Sequence, residues 1–254
     1  MSAENAPVDD ERSRRWMEQY TEIAALAGAL AHEIKNPLST IRLNLSLLAE
    51  DFEETKSVKE QRALQKILII ERECERLQDT LEDFLRFARV GVEDQRRSRC
   101  DLNAVVQEMM DFVSPQAADR GIELVPYFHG NLPLVNLDRE LFKQALLNLL
   151  LNAQNAMPAG GQVVLQTQPV NRGVQLDVID NGVGMDAETL HKIFRPFFST
   201  RKEGSGLGLP TTRKIIEAHQ GTIAVESAVS EGTRFTITLP AASETAPASR
   251  SAGD

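Results

Sequence analysis

The sequence has few cysteines, no long apolar segment and no excess of basic residues, and each lack excludes a class of protein. Two cysteines make no disulfide framework, so we expect Cys74 and Cys100 to be reduced thiols in a cytosolic protein. No apolar run approaches the roughly 18 residues of a membrane span, and the polar N-terminus lacks a signal-peptide core. The net charge of −9 argues against nucleic-acid binding, which favours basic patches.

Hydrophobic content of 42% and charged content of 26% are typical of a globular protein, and 254 residues allow one large domain or two modest ones. Shifts in composition and periodicity predict two domains. The predicted segments are a disordered N-terminus (1–11), a helical domain (12–91), a charged linker (92–101), a mixed domain (102–240) and a disordered tail (241–254).

The helical domain contains two apolar seams with steps of three and four residues, which is the spacing of a helix face. The first seam comprises Ile23, Leu26, Leu30, Ile34, Leu38, Ile41, Leu45 and Leu48, and the second comprises Leu64, Ile67, Ile70, Cys74, Leu77, Leu81, Phe84 and Ala88. The charged stretch between them, 50–60, is predicted to be a loop. A hairpin of two such helices buries its stripes best in a four-helix bundle, so we expect a homodimer.

The mixed domain alternates between helical and strand-like segments. Helices are predicted over 102–113, 139–157 and 209–219, and strands over 122–128, 163–167, 174–179, 222–226 and 233–239. Helices and mostly antiparallel strands in this order predict an α+β two-layer sandwich.

The segment Ala29–Leu38 brings together residues suited to chemistry. His32 and Asn36 share a helix face, Glu33 is adjacent to His32, and Pro37 is expected to bend the helix. The alternative is a half-buried bundle histidine. The other histidines, His129, His191 and His219, have no comparable acidic neighbour and are predicted to be surface or structural residues, and no Cys/His cluster indicates zinc.

Three segments of the mixed domain predict a nucleotide site. Asn148 and Asn152 lie one turn apart on a leucine-rich helix, and an amide oxygen suits Mg²⁺; the alternative is an ordinary polar helix surface. Asp180 follows a strand and can accept from an exocyclic amine, while Gly182 and Gly184 allow close backbone approach; alone, this would be a plain Asp-Asn-Gly turn. The run Gly204–Gly208 opens a helix, where backbone N–H groups can hold phosphate.

In this order, over about residues 20–240, the segments resemble the sensor histidine kinases of bacterial two-component systems. The resemblance implies a dimerisation and phosphotransfer domain followed by a Bergerat-type ATP-binding (GHKL) domain. It implies His32 as phosphoacceptor with Glu33 beside it, Asn152 as Mg²⁺ ligand and Asp180 as adenine contact. The remaining nucleotide-binding residues would be Asn148, Gly182, Gly184, Arg201, Gly204, Gly206, Leu207 and Gly208.

The chain is most similar to the nitrogen-regulation subgroup, whose partners are transcription activators with receiver domains. Ala156 stands where many relatives carry an aromatic residue, and Arg201 where the subgroup often has lysine; the arginine keeps a cation near the phosphates. About thirty residues precede His32, too few for a sensory domain. We therefore expect a separate sensor protein or the N-terminal helix to deliver the signal.

Two other functions would use the same ATP fold. The gyrase-like and chaperone-like ATPases of this fold place a glutamate one turn before the metal-binding asparagine, where it activates water; this chain has Asn148 there. A non-catalytic nucleotide-binding dimer scaffold is the other alternative. The spacing of Glu33 and Asn36 also resembles the phosphatase motif of bifunctional kinases, which predicts that Asn36 acts on the phosphorylated response regulator.

Overall fold

The computed structural model describes residues 34–49, 57–90, 96–201 and 204–242. These residues separate into two compact units. The first unit contains 34–49, 57–90, 196–201 and 204–207, and the second contains 96–195 and 208–242.

The first unit contains a helical hairpin. Residues 34–49 are helical (α1), and α2 runs over Val58–Arg89. Polar contacts join the two helices in antiparallel register: Lys35 with Glu82 (2.6 Å), Ser39 with Gln78 (3.1 Å), Arg42 with Glu75 (3.7 Å) and Ser46 with Glu71 (2.5 Å). The hairpin prediction is confirmed, although α2 begins within the charged stretch that was predicted to be loop.

Part of the predicted apolar seam remains open in the hairpin. The exposed positions repeat every seven residues on each helix, and each is 44–50% exposed: Ile34, Ile41 and Leu48 on α1, and Ile70 and Leu77 on α2. A seven-residue repeat on paired helices is the pattern of a coiled-coil contact. The hairpin alone therefore leaves an apolar stripe uncovered.

Of the helices in the described ranges, none combines the length and apolar content that crossing a membrane requires.

The second unit is built on a five-stranded sheet with the strand order β2-β4-β5-β7-β6. Its strands are β2 (Ile122–Tyr127), β4 (Gly161–Val170), β5 (Gly173–Asp180), β6 (Thr222–Ala228) and β7 (Gly232–Pro240). Only the β2–β4 pair is parallel; the other three pairs are antiparallel. All five predicted strands are confirmed: β5, β6 and β7 are each two residues longer than predicted, β4 is five residues longer and β2 is one residue shorter.

Helices α3 (Leu102–Asp119), α4 (Arg139–Ala156) and α6 (Gly208–Ala218) pack against one another and the sheet. A single turn of helix, α5 (Ala187–Leu190), follows the glycine loop after β5. The α+β two-layer sandwich is thus confirmed. Its largest fully buried side chains are Leu102, Leu137, Phe142, Leu146, Leu149, Leu150, Leu165, Leu176, Ile215, Ile216 and Ile237.

Two details differ from the sequence-based prediction. α3 continues past Pro115 rather than ending at Val113, because Val113 and Ala117 on either side of the proline are almost wholly buried. Within the predicted linker, residues Ser98–Cys100 form strand β1, which pairs antiparallel with β3 (Val135–Leu137). Cys74 and Cys100 are both buried free thiols.

Candidate functional site

Helix α4 carries the two predicted amide residues. Asp138 caps its start by accepting the Leu141 N–H (3.2 Å), and Asn148 and Asn152 follow one turn apart. The Asn148 Nδ2 donates to the Gly208 carbonyl oxygen at 3.1 Å and approaches the Thr212 hydroxyl at 3.4 Å. The amide of Asn148 therefore fastens the start of α6 to α4, while Asn152 is half-buried one turn further along.

Asp180 ends β5 with only 6% of its surface exposed. Its Oδ1 accepts the Gly182 N–H at 2.9 Å, and the Thr233 backbone also donates to the carboxyl group. Burial raises the pKa of Asp180, and these two backbone donors oppose that effect. The structure thus provides a buried acceptor group at the C-terminal end of β5, the central strand of the sheet.

At positions 182 and 184, the loop after Asp180 leaves no space for a side chain. A Cβ on Gly182 would lie 2.7 Å from the Ala156 carbonyl oxygen, and one on Gly184 would overlap the Ala228 carbonyl oxygen. Gly184 also has a positive φ of 65°, which disfavours any larger residue. The Val183 N–H donates to the Ala156 carbonyl (3.0 Å), so the loop is held against the end of α4.

Ser227, on β6, also contacts the glycine loop, and nothing in the sequence indicated this contact. Its hydroxyl accepts the Met185 N–H at 2.9 Å and donates to the Gly232 carbonyl at 2.8 Å. It thereby joins the glycine loop to the β6–β7 hairpin. A serine in an alternating strand carries no motif, so only the fold reveals this role.

The other predicted nucleotide-binding residues, Arg201, Gly204, Gly206 and Leu207, belong to the first unit. The Gly204 N–H donates to the Arg201 carbonyl at 3.3 Å, and Leu207 is fully buried. Gly206 has a φ of 68°, so a side chain there would be strained. These contacts give the predicted phosphate-binding segment a defined turn.

The segment around Gly206 contacts helix α2. The Phe197 N–H donates to the Gly206 carbonyl (3.1 Å) and the Phe197 ring stacks on Phe84, with 6.4 Å between centroids. The Ser205 hydroxyl donates to Asp83 at 2.7 Å. Phe197 has a φ of 63°, a conformation that costs a bulky residue about 1–2 kcal/mol, so these contacts hold it in place.

The predicted phosphoacceptor segment is described only in part. His32 and Glu33 lie outside the described residues, and Asn36 is exposed on α1. The neighbouring Lys35 pairs with Glu82 at 2.6 Å, and its hydrogen bond and charge lower the pKa of Glu82. At the described start of α1, the polar residues Lys35 and Asn36 are therefore exposed beside the apolar Ile34.

The donor set of the second unit fits a magnesium nucleotide by its chemistry. Asp180 provides a buried carboxylate for an amine, and Asn152 carries a hard amide oxygen of the kind that Mg²⁺ prefers. No cluster of three His, Cys, Asp or Glu residues that could hold a metal occurs within the described part of the chain. A metal at this site would take its other ligands from phosphate oxygens and water.

Comparison with protein families matches both parts of the chain. Residues 137–243 match the family described as histidine kinase-, DNA gyrase B- and HSP90-like ATPase, and residues 23–93 match the His Kinase A (phospho-acceptor) domain. The sensor histidine kinase ZraS of Klebsiella oxytoca is 37% identical over 238 residues, covering 91% of this chain and 50% of ZraS. The chain thus spans about half the length of this curated relative.

Solved structures share the fold. Full-length ShkA in complex with AMPPNP has a TM-score of 0.68 and 26% identity, over 88% of this chain and 47% of ShkA. The histidine kinase ThkA in complex with the response regulator TrrA has a TM-score of 0.63 and 23% identity, over 96% of this chain and 70% of ThkA. With a phosphoacceptor domain, an ATPase domain and relatives of this kind, the chain belongs to the sensor histidine kinases of bacterial two-component systems.

Proposed function

We propose that the protein is an ATP-dependent histidine kinase that phosphorylates itself on His32. The observation that carries this proposal against hydrolysis is the amide of Asn148. An ATPase of this fold needs a carboxylate at this position to activate water. Asn148 instead donates its side-chain N–H to the Gly208 carbonyl, and its amide oxygen is a far weaker base than a carboxylate. Bound ATP would then persist until a stronger nucleophile reaches it.

The roles of the individual residues follow from their chemistry. Asp180 would accept a hydrogen bond from the exocyclic amine of adenine, and Asn152 would bind Mg²⁺, which neutralises phosphate charge. The other nucleotide contacts would come from Asn148, Gly182, Gly184, Arg201, Gly204, Gly206, Leu207 and Gly208. Among these, the backbone N–H groups of the second glycine run and the cationic Arg201 suit the phosphates.

The transfer itself forms one bond and breaks one. The Nε2 of His32 attacks the γ-phosphorus, the bond from that phosphorus to the β,γ-bridging oxygen breaks, and ADP leaves. Glu33 would orient the imidazole through Nδ1 and accept its proton. This assignment makes His32, Glu33 and Asn36 the catalytic residues of the helical domain.

Incubation of the full chain with γ-labelled ATP and Mg²⁺ tests the proposal. A kinase gives acid-labile, alkali-stable label on the protein. An ATPase gives released phosphate without labelled protein, and a nucleotide-binding scaffold gives neither product. Either of the last two results would contradict the proposal.

We further propose that the phosphoryl group passes to an aspartate on the receiver domain of a response regulator. The solved complex of ThkA with TrrA supports this kind of partner, because the fold is shared. The resemblance to the nitrogen-regulation subgroup favours a transcription activator as the regulator. The reaction would take place in the cytoplasm, where ATP is available.

Asn36 is proposed to serve the reverse reaction, hydrolysis of the regulator's phosphoaspartate. Its side chain is exposed, four positions after His32 in the sequence, and an amide can both donate to and accept from a water placed in line with phosphorus. Asn36→Ala should keep labelling of His32 and transfer, while the phosphorylated regulator becomes longer-lived when the kinase is present. Decay of labelled regulator measures this, and decay as fast as with wild type would contradict the role.

The open apolar stripe of the hairpin supports a homodimer built from two copies. Ile41→Glu with Leu48→Glu should convert the dimer into a monomer, because two charges would enter the seam. Leu43→Glu is the matched control, since Leu43 is also exposed (61%) but lies off the seven-residue repeat. Light scattering at micromolar concentration measures the mass, and a monomeric wild type would contradict the dimer.

A further inference from the structure

One buried histidine lies where α6 ends and α4 begins. His219 follows directly after α6 and is only 2% exposed. Its Nδ1 lies 2.7 Å from the Ile215 carbonyl oxygen, and its Nε2 lies 2.9 Å from the Asp138 backbone nitrogen. The Phe142 ring of α4 packs edge-on against the imidazole, with 6.4 Å between centroids.

These two contacts fix the proton on the ring. The Asp138 backbone N–H can only donate, so the Nε2 of His219 must accept and carries no proton. The Ile215 carbonyl can only accept, so Nδ1 must donate. His219 is therefore neutral, with its proton on Nδ1, and a second proton on Nε2 would face the Asp138 N–H.

The same junction holds the chain that enters the second unit. Asp138 accepts the Arg96 N–H with its Oδ2 at 3.1 Å while its Oδ1 caps α4. The Arg97 guanidinium donates to the Ala218 carbonyl at the end of α6. The residues just before strand β1 are thus tied to the ends of both helices beside His219.

At its other end, α6 is tied to α4 by Asn148, which donates to the Gly208 carbonyl at 3.1 Å. The start of α6 lies beside the middle of α4 and the end of α6 lies beside the start of α4, so the two helices run antiparallel. His219 and Asn148 therefore fix the register of α6 against α4. That register places Gly208, on α6, relative to Asn152, on α4.

We infer that His219 is a positioning residue for nucleotide binding: its neutral imidazole holds α6 in register with α4 and joins both helices to the chain entering the domain. This inference rests on the proposed nucleotide site, because its consequence is measured there. His219 does not contact the nucleotide. It acts by keeping the two helices that carry Gly208 and Asn152 at a fixed spacing.

The junction makes nucleotide affinity sensitive to acid. Burial lowers the pKa of His219; the Arg97 charge acts in the same direction, while the Ile215 carbonyl and Asp138 oppose it. A lowered pKa means that the fold favours the neutral ring. The contribution of the neutral ring to the stability of the junction is complete above about pH 6.5, the usual pKa of histidine. It is lost as the pH falls through the lowered pKa of His219.

Comparing wild type with His219→Leu tests the inference in the full chain. Binding of a fluorescent ATP analogue with Mg²⁺ is measured from pH 8 to pH 5, and circular dichroism at each pH confirms that both proteins remain folded. Because the phosphates of the analogue titrate in the same range, the useful quantity is the ratio of the two affinities. We expect wild type to bind about tenfold more tightly at pH 8, and the ratio to fall toward one over the pH range in which His219 becomes protonated.

Two further variants sharpen the result. His219→Gln, whose amide both donates and accepts, should recover part of the lost affinity and show no acid-dependent step. His191→Leu removes an exposed histidine, and the ratio of wild-type affinity to His191→Leu affinity should stay at one at every pH. A ratio near one for His219→Leu at pH 8, or one that stays constant while an NMR titration shows wild-type His219 becoming protonated, would overturn the inference.

A measurement on wild type covers the case in which His219→Leu does not fold. Reciprocity of linked equilibria requires that nucleotide, if it favours the neutral ring, lowers the pKa of His219 further. An NMR titration of the imidazole with and without the analogue measures this, and an unchanged pKa would overturn the inference. A wild-type chain that binds no analogue at any pH would instead contradict the proposed nucleotide site.

Discussion

Replacing His32 with glutamine should abolish labelling of the protein by γ-labelled ATP. Glutamine has an amide nitrogen whose lone pair is delocalised, so it offers no nucleophile for the γ-phosphorus. We expect acid-labile label to fall by at least about a thousandfold, to background, while affinity for an ATP analogue stays within about twofold of wild type. Filter binding of labelled protein before and after acid treatment measures the first quantity, and analogue titration measures the second.

The matched control for this variant is His191→Gln. His191 is an exposed histidine at the end of α5, and its loss should leave labelling unchanged. Label that persists in His32→Gln would assign the phosphoacceptor to another residue. Loss of label in His191→Gln alone would point to that histidine.

Asp180→Asn should lose nucleotide affinity by about 5- to 150-fold, which corresponds to about 1–3 kcal/mol. The carboxyl group already accepts the Gly182 and Thr233 backbone N–H groups. The change replaces one acceptor oxygen with an NH₂ group, which would then face a donor, either from the protein or from the adenine amine. Titration with a fluorescent ATP analogue measures the loss.

Asp177→Asn separates damage to the site from damage to the fold. Asp177 is equally buried on the same strand, at 4% exposure, and accepts from the Thr236 hydroxyl and Gln175. The same substitution there should lower the melting temperature while nucleotide affinity stays close to wild type. Near-wild-type affinity in Asp180→Asn, or equal losses in the two variants, would place the adenine contact elsewhere.

Much of the fold could be predicted because its strands and helices follow simple periods. Strands β4, β6 and most of β7 alternate between more and less buried positions, as in β4, where Val163, Leu165 and Thr167 face the core. The central strand β5 is buried at most of its positions instead. The strand β1 could not be predicted, because three residues within a charged segment show no alternation. α3 extends beyond Pro115 because the buried side chains around the proline outweigh its local cost.

The glycine loop of the candidate site could be indicated from residue type alone. Gly182 and Gly184 were predicted to let the backbone approach a nucleotide, which stays a prediction; the structure adds the carbonyl oxygens of the protein itself that leave no space for a side chain at these positions. His219 was predicted to be surface or structural, and the structure makes it a buried structural residue. Its partner is the backbone N–H of Asp138, eighty-one positions away in sequence, and a backbone donor leaves no mark on composition or spacing.

The bond from Asn148 to Gly208 bears on how this domain could evolve. A glutamate at position 148 would supply the base that hydrolysis needs, yet at neutral pH its carboxylate has no hydrogen to donate to the Gly208 carbonyl. The Thr212 hydroxyl already donates to that same carbonyl at 3.0 Å, so a carboxylate at position 148 would meet two oxygen atoms there. A lineage moving from phosphotransfer to ATP hydrolysis would therefore have to reshape the start of α6 before or together with position 148. Under the proposed function, selection for an intact helix start would therefore also favour an amide at position 148 and a long lifetime of bound ATP.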